Sequence, residues 1–415
     1  MPKSHIILIN PPSPYLKDDR AQPPMGLLYL AANLEKQGYY VDVEDLAGRS
    51  DWEQRTAELE ADVFGVTCPT PNFFIAKKIS QILPSESLKI VGGPHPTVLP
   101  EETLRRTKFN VVIRHEGEVI LPKILESYEK GEKLQRIYEG GLVDLDSIPV
   151  PARHLVKIHE YHPEMEGGGA VTIFTSRGCP MRCAFCWKLT GETIRFRKID
   201  NVINEVKCVV NDYEFKNIIF EDDNFCVDHV RVKKIFNGIK SLGVNIRICP
   251  RVDTVNREML KFLRESGVTE ISFGVESGSQ KILDLMKKKT TVKINEKAVL
   301  EAKEAGMLVK IYLIVGFPGE TEETLEETKQ FVKRTRPDKW LLQNFVPYPG
   351  TDVWNNPEKY GITWMSGDYS RYYTVGRGGK GGVVFRTHEL DEEKIRKFHD
   401  DLYDFLMDIK PMYRG

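Results

Sequence analysis

The chain has 415 residues, enough for two or three domains with real cores, which excludes a small disulfide-stapled scaffold. Its 41% hydrophobic and 29% charged residues exclude a disordered or collagen-like chain, and 59 Lys plus Arg against 60 Asp plus Glu leave a formal net charge of -1. That balance gives no bulk drive toward nucleic acid or anionic lipid, and no apolar run approaches the ~18 residues that would cross a bilayer.

From residue 5, short β-rich runs alternate with amphipathic helical stretches, the pattern of a parallel sheet covered by helices. Strands are expected at 5–10, 40–46, 62–67, 88–92 and 111–115, with helices such as 26–37 and 73–83 between them. This is an α/β architecture, a doubly wound, Rossmann-like parallel sheet domain over residues 1–135. The strands end in tight, open loops: Asn10-Pro11-Pro12, Cys68-Pro69-Thr70, Gly92-Gly93-Pro94-His95-Pro96 and Glu116-Gly117-Glu118. Open sheets bind their ligands at such carboxyl-end loops.

Between Gly131 and Gly169 the periodicity fades, and residues 136–169 read as a linker. A second alternating series follows, with strands near 170–176, 217–221, 245–249, 270–275, 308–315 and 340–346. Val202, Val206 and Val209, then Val232, Ile235 and Ile239, keep helical spacing between them. Six βα units over residues 170–350 imply a partial (β/α)6 barrel, whose chemistry belongs at the carboxyl ends of its strands. Residues 351–415 are expected to form a small α-rich segment that covers substrate, with a helix over 391–409. Its aromatic residues Trp354, Trp364, Tyr369, Tyr372 and Tyr373 fit either that cover or a core. The glycine cluster at 376–382 lacks the Lys-Ser or Lys-Thr ending of a nucleotide-triphosphate loop and reads as a lid or plain loop.

Of seven cysteines, three crowd into Ser-Arg-Gly-Cys-Pro-Met-Arg-Cys-Ala-Phe-Cys-Trp, directly after the first strand of the second series. Cys179, Cys183 and Cys186 have the spacing CxxxCxxC, which chance would produce roughly 0.002 times in such a chain. A helical stripe is disfavoured by Gly178 and Pro180, so a loop is expected. Soft thiolates at close spacing suit zinc or an iron-sulfur cluster. Zinc wants a fourth ligand, and no further Cys or His lies in residues 170–200. Three thiolates on a four-iron cluster, which normally takes four, leave one iron open. Cys68, Cys208, Cys226 and Cys249 are isolated and read as buried thiols. The runs Lys287-Lys288-Lys289 and Lys77-Lys78 read as solvated helix faces.

In its cysteine loop the chain resembles the radical S-adenosylmethionine (SAM) superfamily, and Phe185 matches the aromatic that precedes the last cysteine. The resemblance implies a [4Fe-4S] cluster on Cys179, Cys183 and Cys186. It also implies SAM on the open iron, reductively cleaved to a 5'-deoxyadenosyl radical. Further matches lie at the expected strand ends: Phe220-Glu221-Asp222-Asp223, Arg251-Val252-Asp253, Gly274-Val275-Glu276-Ser277 and Val315-Gly316-Phe317-Pro318-Gly319-Glu320. Carboxylates suit an ammonium group and ribose hydroxyls, an arginine suits a carboxylate, and glycine admits a flat adenine. SAM contacts are therefore expected at Phe185, Asp222, Asp223, Arg251, Glu276, Ser277 and Gly316. For Asp222 and Asp223 a helix amino-terminal cap is the alternative.

The first domain is similar to the cobalamin-binding domains joined to many radical SAM enzymes, in Ile9-Asn10-Pro11-Pro12, Pro24-Met25-Gly26-Leu27, Gly92-Gly93-Pro94-His95-Pro96 and His115-Glu116-Gly117-Glu118. Corrinoid contacts are then expected at Asn10, Pro11, Pro12, Cys68, Gly92, Gly93 and Glu116. No Asp-x-His-x-x-Gly follows the first strand, so the histidine that ligates cobalt from below elsewhere is missing. His95 and His115 read as hydrogen-bonding turn residues rather than ligands.

The resemblance implies a radical SAM methyltransferase in which methylcobalamin donates a methyl group to an unactivated carbon. The alternatives are an oxidative cyclase or rearranging enzyme without methyl transfer and, in another class, a corrinoid or metal carrier without catalysis. An electron donor such as flavodoxin or ferredoxin, a cytoplasmic location, and a small-metabolite, lipid or peptide substrate go with it; nucleic acid does not.

Overall fold

Runs of β-branched residues buried on both faces build two separate parallel sheets. The computed structural model describes residues 3–376 and 379–409. It divides into one unit of Met1–Tyr161 with Asp368–Ser370 and a second of His162–Gly367 with Arg371–Gly415.

In the first unit Ile6, Leu8 and Ile9 are almost wholly buried and make β1 (His5–Asn10) an inner strand. It is followed by β2 (Tyr40–Asp45), β3 (Val63–Thr67), β4 (Leu88–Gly92), β5 (Val111–Arg114) and β6 (Ile137–Glu139). The order is β2-β1-β3-β4-β5-β6, with every pair parallel. Because β2 and β3 flank β1 on opposite sides, the connections diverge there, which opens a crevice at the carboxyl edge. The helix Met25–Lys36 begins behind Pro24 and gives way to Gly38 at φ 82°, a left-handed turn that glycine takes without strain. Its Leu27, Ala31 and Leu34 share a core with Ile124 and Leu125. The sixth strand lies in the stretch read as a linker; three half-exposed residues carry too little alternation to announce themselves.

The second unit contains β7 (Ala170–Ile173), β8 (Ser176–Arg177), β9 (Arg195–Phe196), β10 (Asn217–Phe220), β11 (Asn245–Ile248), β12 (Val268–Glu276), β13 (Leu308–Val315) and β14 (Lys339–Asn344). Its main sheet runs β14-β13-β12-β11-β10-β7, all parallel, with β7 and β14 at the edges of a partial barrel. Side-chain caps start four of the intervening helices: Asp228 accepts from Arg231 N, Asn256 from Met259 N and Thr291 from Ile294 N, and Thr321 forms a capping box with Thr324.

Barrel strands usually fill their interior with Val, Ile and Leu. This sheet also buries Arg247, Glu270, Lys310 and Lys339, four charged residues on β11 to β14. Lys310 Nζ lies 2.5 Å from Glu164, and Lys339 Nζ lies 3.0 Å from Glu270 and 3.3 Å from Glu166. Met165, between the two glutamates, packs on Ala170 and Ile219. The end of the expected linker is thus ion-paired to the sheet.

In the last segment the helix Glu392–Ile409 is joined by an antiparallel pair, β15 (Ile362–Met365) and β16 (Phe385–Thr387), that the sequence did not suggest. Its aromatic residues part ways: Tyr372 is fully buried while Trp364 is 44% exposed. Arg377 and Gly378 of the glycine cluster lie outside the described residues. Among the described residues no helix is long and apolar enough to cross a membrane.

Candidate functional site

The antiparallel ribbon of β8 and β9 clamps the two ends of the cysteine loop, pairing Ser176 with Phe196 and Arg177 with Arg195. Gly178 starts the loop at φ 96°, and a Cβ there would lie 2.2 Å from the Thr193 carbonyl oxygen, so no other residue fits without moving the backbone. Inside the loop Cys179 N donates to Gly191 O and Cys186 N to Cys183 O. Cys183 is buried, Cys179 half-buried and Cys186 exposed, and none is in a disulfide.

Asp222 and Asp223, behind β10, hold this loop and cap no helix. Asp222 accepts from Thr175 N at 2.6 Å, Ser176 Oγ at 2.7 Å and Thr175 Oγ1, all on the approach to Cys179. Asp223 Oδ2 accepts from Gly178 N and Thr190 Oγ1, each at 2.8 Å, tying the beginning of the loop to its far side. Burial pushes the Asp222 carboxyl up from the usual range, opposed by its hydrogen bonds to Thr175 and Ser176.

One cation meets a thiol, and a second lies beside the aromatic of the loop. Arg251 forms a two-point pair with Asp253 at 3.0 and 2.9 Å, and its Nη1 lies 3.8 Å from Cys183 Sγ. Lys288 is 7% exposed, with Nζ 2.7 Å from Glu276 Oε1 and 5.8 Å from the centre of the Phe185 ring. This corrects the reading of Lys287-Lys288-Lys289 as a solvated helix face: the run is a turn in which Lys287 and Lys289 stand at φ 52° and 54°. Glu276 itself, at the end of β12, has φ 65°. Left-handed backbone costs a non-glycine residue about 1–2 kcal/mol, and three such residues around one ion pair are held there by the surrounding contacts.

Two of the three thiols, those of Cys179 and Cys186, are hard to ionise without a metal. Although Cys186 is exposed as a residue, desolvation of its sulfur by the surrounding loop, with the neighbouring Cys183 and Cys179, pushes the thiol up to about 12, and burial raises Cys179 as well. Iron would offset that cost by binding the thiolates. Among the described residues no three His, Cys, Asp or Glu side chains are grouped as one metal ion would require. A cuboidal cluster spreads its ligands more widely than a single ion, and three mutually interacting thiols beside two cations fit it.

Further along the same edge, Ser277 Oγ lies 3.2 Å from Thr328 Oγ1 and accepts from Ser279 N. Gly316, at φ 82°, donates its N–H to Glu320, whose buried carboxyl is pushed up to about 8 by desolvation.

The carboxyl edge of the first unit is built differently. Asn10 Nδ2 donates to Asp45 at 2.7 Å, and the buried Pro12 accepts from Asn72 Nδ2 at 2.9 Å. Cys68 N donates to Gly92 O and His95 N to Cys68 O, so backbone bonds stitch the loops after β3 and β4 together. The Cys68 thiol is buried and donates to Pro69 O. Gly93 stands at φ 97°, 3.0–3.1 Å from Thr67 Oγ1 and Cys68 N as measured from an added Cβ. Glu116 is buried and accepts from Val143 N at 2.7 Å. Small residues and bare backbone suit a broad, flat ligand such as a corrin ring. His95 is not the hydrogen-bonding turn residue expected: it is fully buried, 4.4 Å from the Phe73 ring and 4.6 Å from the Tyr369 ring, and neither ring nitrogen has a partner among the described residues. Burial pulls its pKa down to about 4, so the ring is neutral.

Two family models match the chain, the radical SAM superfamily over residues 173–332 and the B12 binding domain over residues 20–125. An uncharacterized methyltransferase of Pyrococcus horikoshii is 31% identical over 404 residues, covering 90% of this chain and 85% of its own. An anaerobic magnesium-protoporphyrin IX monomethyl ester cyclase of Cereibacter sphaeroides is 28% identical; the match spans 89% of this chain but 65% of the cyclase. Among solved structures, the radical S-adenosylmethionine methyltransferase TsrM of Kitasatospora setae, with cobalamin and a [4Fe-4S] cluster bound, shares the fold at TM-score 0.76 and 18% identity, over 100% of this chain and 93% of its own. The chain therefore belongs to the radical SAM enzymes that carry a B12-binding domain. The cofactors of that membership are a [4Fe-4S] cluster, SAM and cobalamin.

Sequence reasoning missed Lys288 because three consecutive lysines carry no sign of which is buried. It missed the loop-holding role of Asp222 because a carboxylate behind a strand reads equally well as a ligand contact.

Proposed function

We propose that this enzyme methylates an unactivated carbon of its substrate, the [4Fe-4S] cluster supplying the electron that cleaves SAM and the corrinoid carrying the methyl group. The observation that carries the reading is the loop of three thiols, with no further Cys or His in residues 170–200, in a chain that also matches the B12 binding domain. Cys179, Cys183 and Cys186 would hold the cluster. Asp222, Asp223 and the β8–β9 ribbon would keep the loop in shape around it, and Phe185 would contact SAM. Arg251, Glu276, Ser277 and Gly316 line the same edge and would take the carboxylate, ammonium, ribose and adenine of SAM. Asn10, Pro11, Pro12, Cys68, Gly92, Gly93 and Glu116 would shape the corrinoid bed. In this reading residues 1–135 bind the corrinoid, 136–169 link, 170–350 form the radical-generating barrel and 351–415 cover the substrate. A cytoplasmic setting, in keeping with seven free cysteines, and a flavodoxin or ferredoxin as electron donor go with it.

The test is anaerobic reconstitution of the full chain with iron and sulfide, then titration with aquacobalamin and a search for 5'-deoxyadenosine and S-adenosylhomocysteine. Methyl transfer expects both products. 5'-Deoxyadenosine alone favours a second reading, a radical cyclase, toward which the 28% identity to the magnesium-protoporphyrin ester cyclase points. Neither product leaves a carrier without catalysis. Cys183→Ala is expected to lose the cluster and all 5'-deoxyadenosine while still binding aquacobalamin, read from its visible absorption.

A further inference from the structure

The turn that carries Lys288 is tied to the cysteine loop directly and through Arg251. Ala184 N, from between Cys183 and Phe185, donates to Met286 O at 2.8 Å, and Arg251 Nη2 donates to Lys288 O at 3.0 Å. The side chain then turns inward, to Glu276 at 2.7 Å, with its Nζ 5.8 Å from the centre of the Phe185 ring, the residue next to Cys186 in the loop. A Cβ on Gly274 would lie 2.5 Å from Glu276 Oε1 and 3.0 Å from Lys288 Nζ, so the strand is bare where the pair sits.

Such a pair is poorly explained by stability. Burying two charges costs more solvation than their attraction reliably returns, and apolar residues of similar size would serve a core as well. Its neighbourhood suggests a different use. A cluster becomes more negative when it takes up an electron, so a fixed positive charge nearby favours the reduced form. Buried and screened little by solvent, such a charge acts strongly.

We propose that Lys288 is a positioning residue of the cluster site: its ammonium holds Glu276 in place and, beside Arg251, biases the bound cluster toward its reduced state. The inference rests on the reading of Cys179, Cys183 and Cys186 as cluster ligands. Opposite charges at one locus give it a signature with two signs. Removing the lysine leaves a carboxylate facing the cluster, and the midpoint potential falls. Removing the carboxylate charge leaves the ammonium uncompensated, and the potential rises.

The experiment compares the full-length wild type with Lys288→Met, Lys288→Arg and Glu276→Gln, each reconstituted anaerobically with iron and sulfide in the absence of SAM. Iron and sulfide per chain are counted, and the potential is read by paramagnetic resonance during a dithionite titration. The expected result is wild-type cluster content throughout, with a more negative potential in Lys288→Met, a more positive one in Glu276→Gln and a value near wild type in Lys288→Arg. Equal potentials in all four would overturn the proposal. So would a Glu276→Gln shift in the negative direction, which is decisive even where Lys288→Met loses its cluster. A wild-type chain that takes up no iron and sulfide fails the cluster reading itself, a separate outcome from unchanged potentials on a filled cluster.

Discussion

The carboxyl edges of the two sheets solve one problem by opposite means. In the second unit the edge carries soft and charged side chains: Asp223 bonded to the loop backbone, Arg251 beside the Cys183 thiol, and Lys288 paired with Glu276. In the first unit prolines, glycines and main-chain bonds predominate beside the side-chain bonds of Asn10, Asn72 and Glu116, and the neutral ring of His95 has no hydrogen-bond partner among the described residues. A site that must hold a charged inorganic cluster needs named ligands and compensating charges. A site that must seat a large planar ring needs room and shape, which many sequences can supply.

Three substitutions sharpen that contrast. The largest effect is expected from Gly178→Ala, because its Cβ would meet the Thr193 carbonyl oxygen at 2.2 Å in a left-handed backbone. Iron uptake on reconstitution should be lost while aquacobalamin titration is unchanged; a filled cluster in this variant would show that the loop does not depend on that turn.

The next is Glu320→Gln. Burial raises this carboxyl from 4.5 to about 8, so between those values the folded chain keeps a proton that the unfolded chain has released. Stability is therefore fully retained below about pH 4.5 and falls as pH rises toward 8. The amide keeps an acceptor for Gly316 N and removes the titration, so the variant should gain roughly 4 kcal/mol at pH 8 and only about 1 kcal/mol at pH 5. Urea midpoints at the two pH values measure this.

The smallest is Gly93→Ala in the first unit, where left-handed backbone and a contact of 3.0 Å combine. A loss of about 1–2 kcal/mol in urea unfolding is expected. Aquacobalamin affinity should weaken while the iron count is unaffected. If Gly93→Ala instead reduced iron uptake, the division of labour between the two edges would be wrong.

The two edges were also unequally legible in the sequence. The cysteines at 179, 183 and 186 announce a metal site because soft ligands at fixed spacing have few other uses. The main strands are visible because runs such as Ile6-Ile7-Leu8-Ile9 and Asn217-Ile218-Ile219-Phe220 leave no other period. What escaped depends on contacts remote in sequence. β6, β8 and β9 are two or three residues long and exist only by pairing. Lys288 and Asp222 take their roles from partners 12 and 47 residues away. His95 looked like a turn residue because its neighbours are prolines, and only packing against Phe73 and Tyr369 reveals its burial.

The ribbon and the two aspartates brace the cysteine loop at both ends, through bonds that involve none of its thiols. A substitution at one thiol should therefore leave the frame of the loop standing.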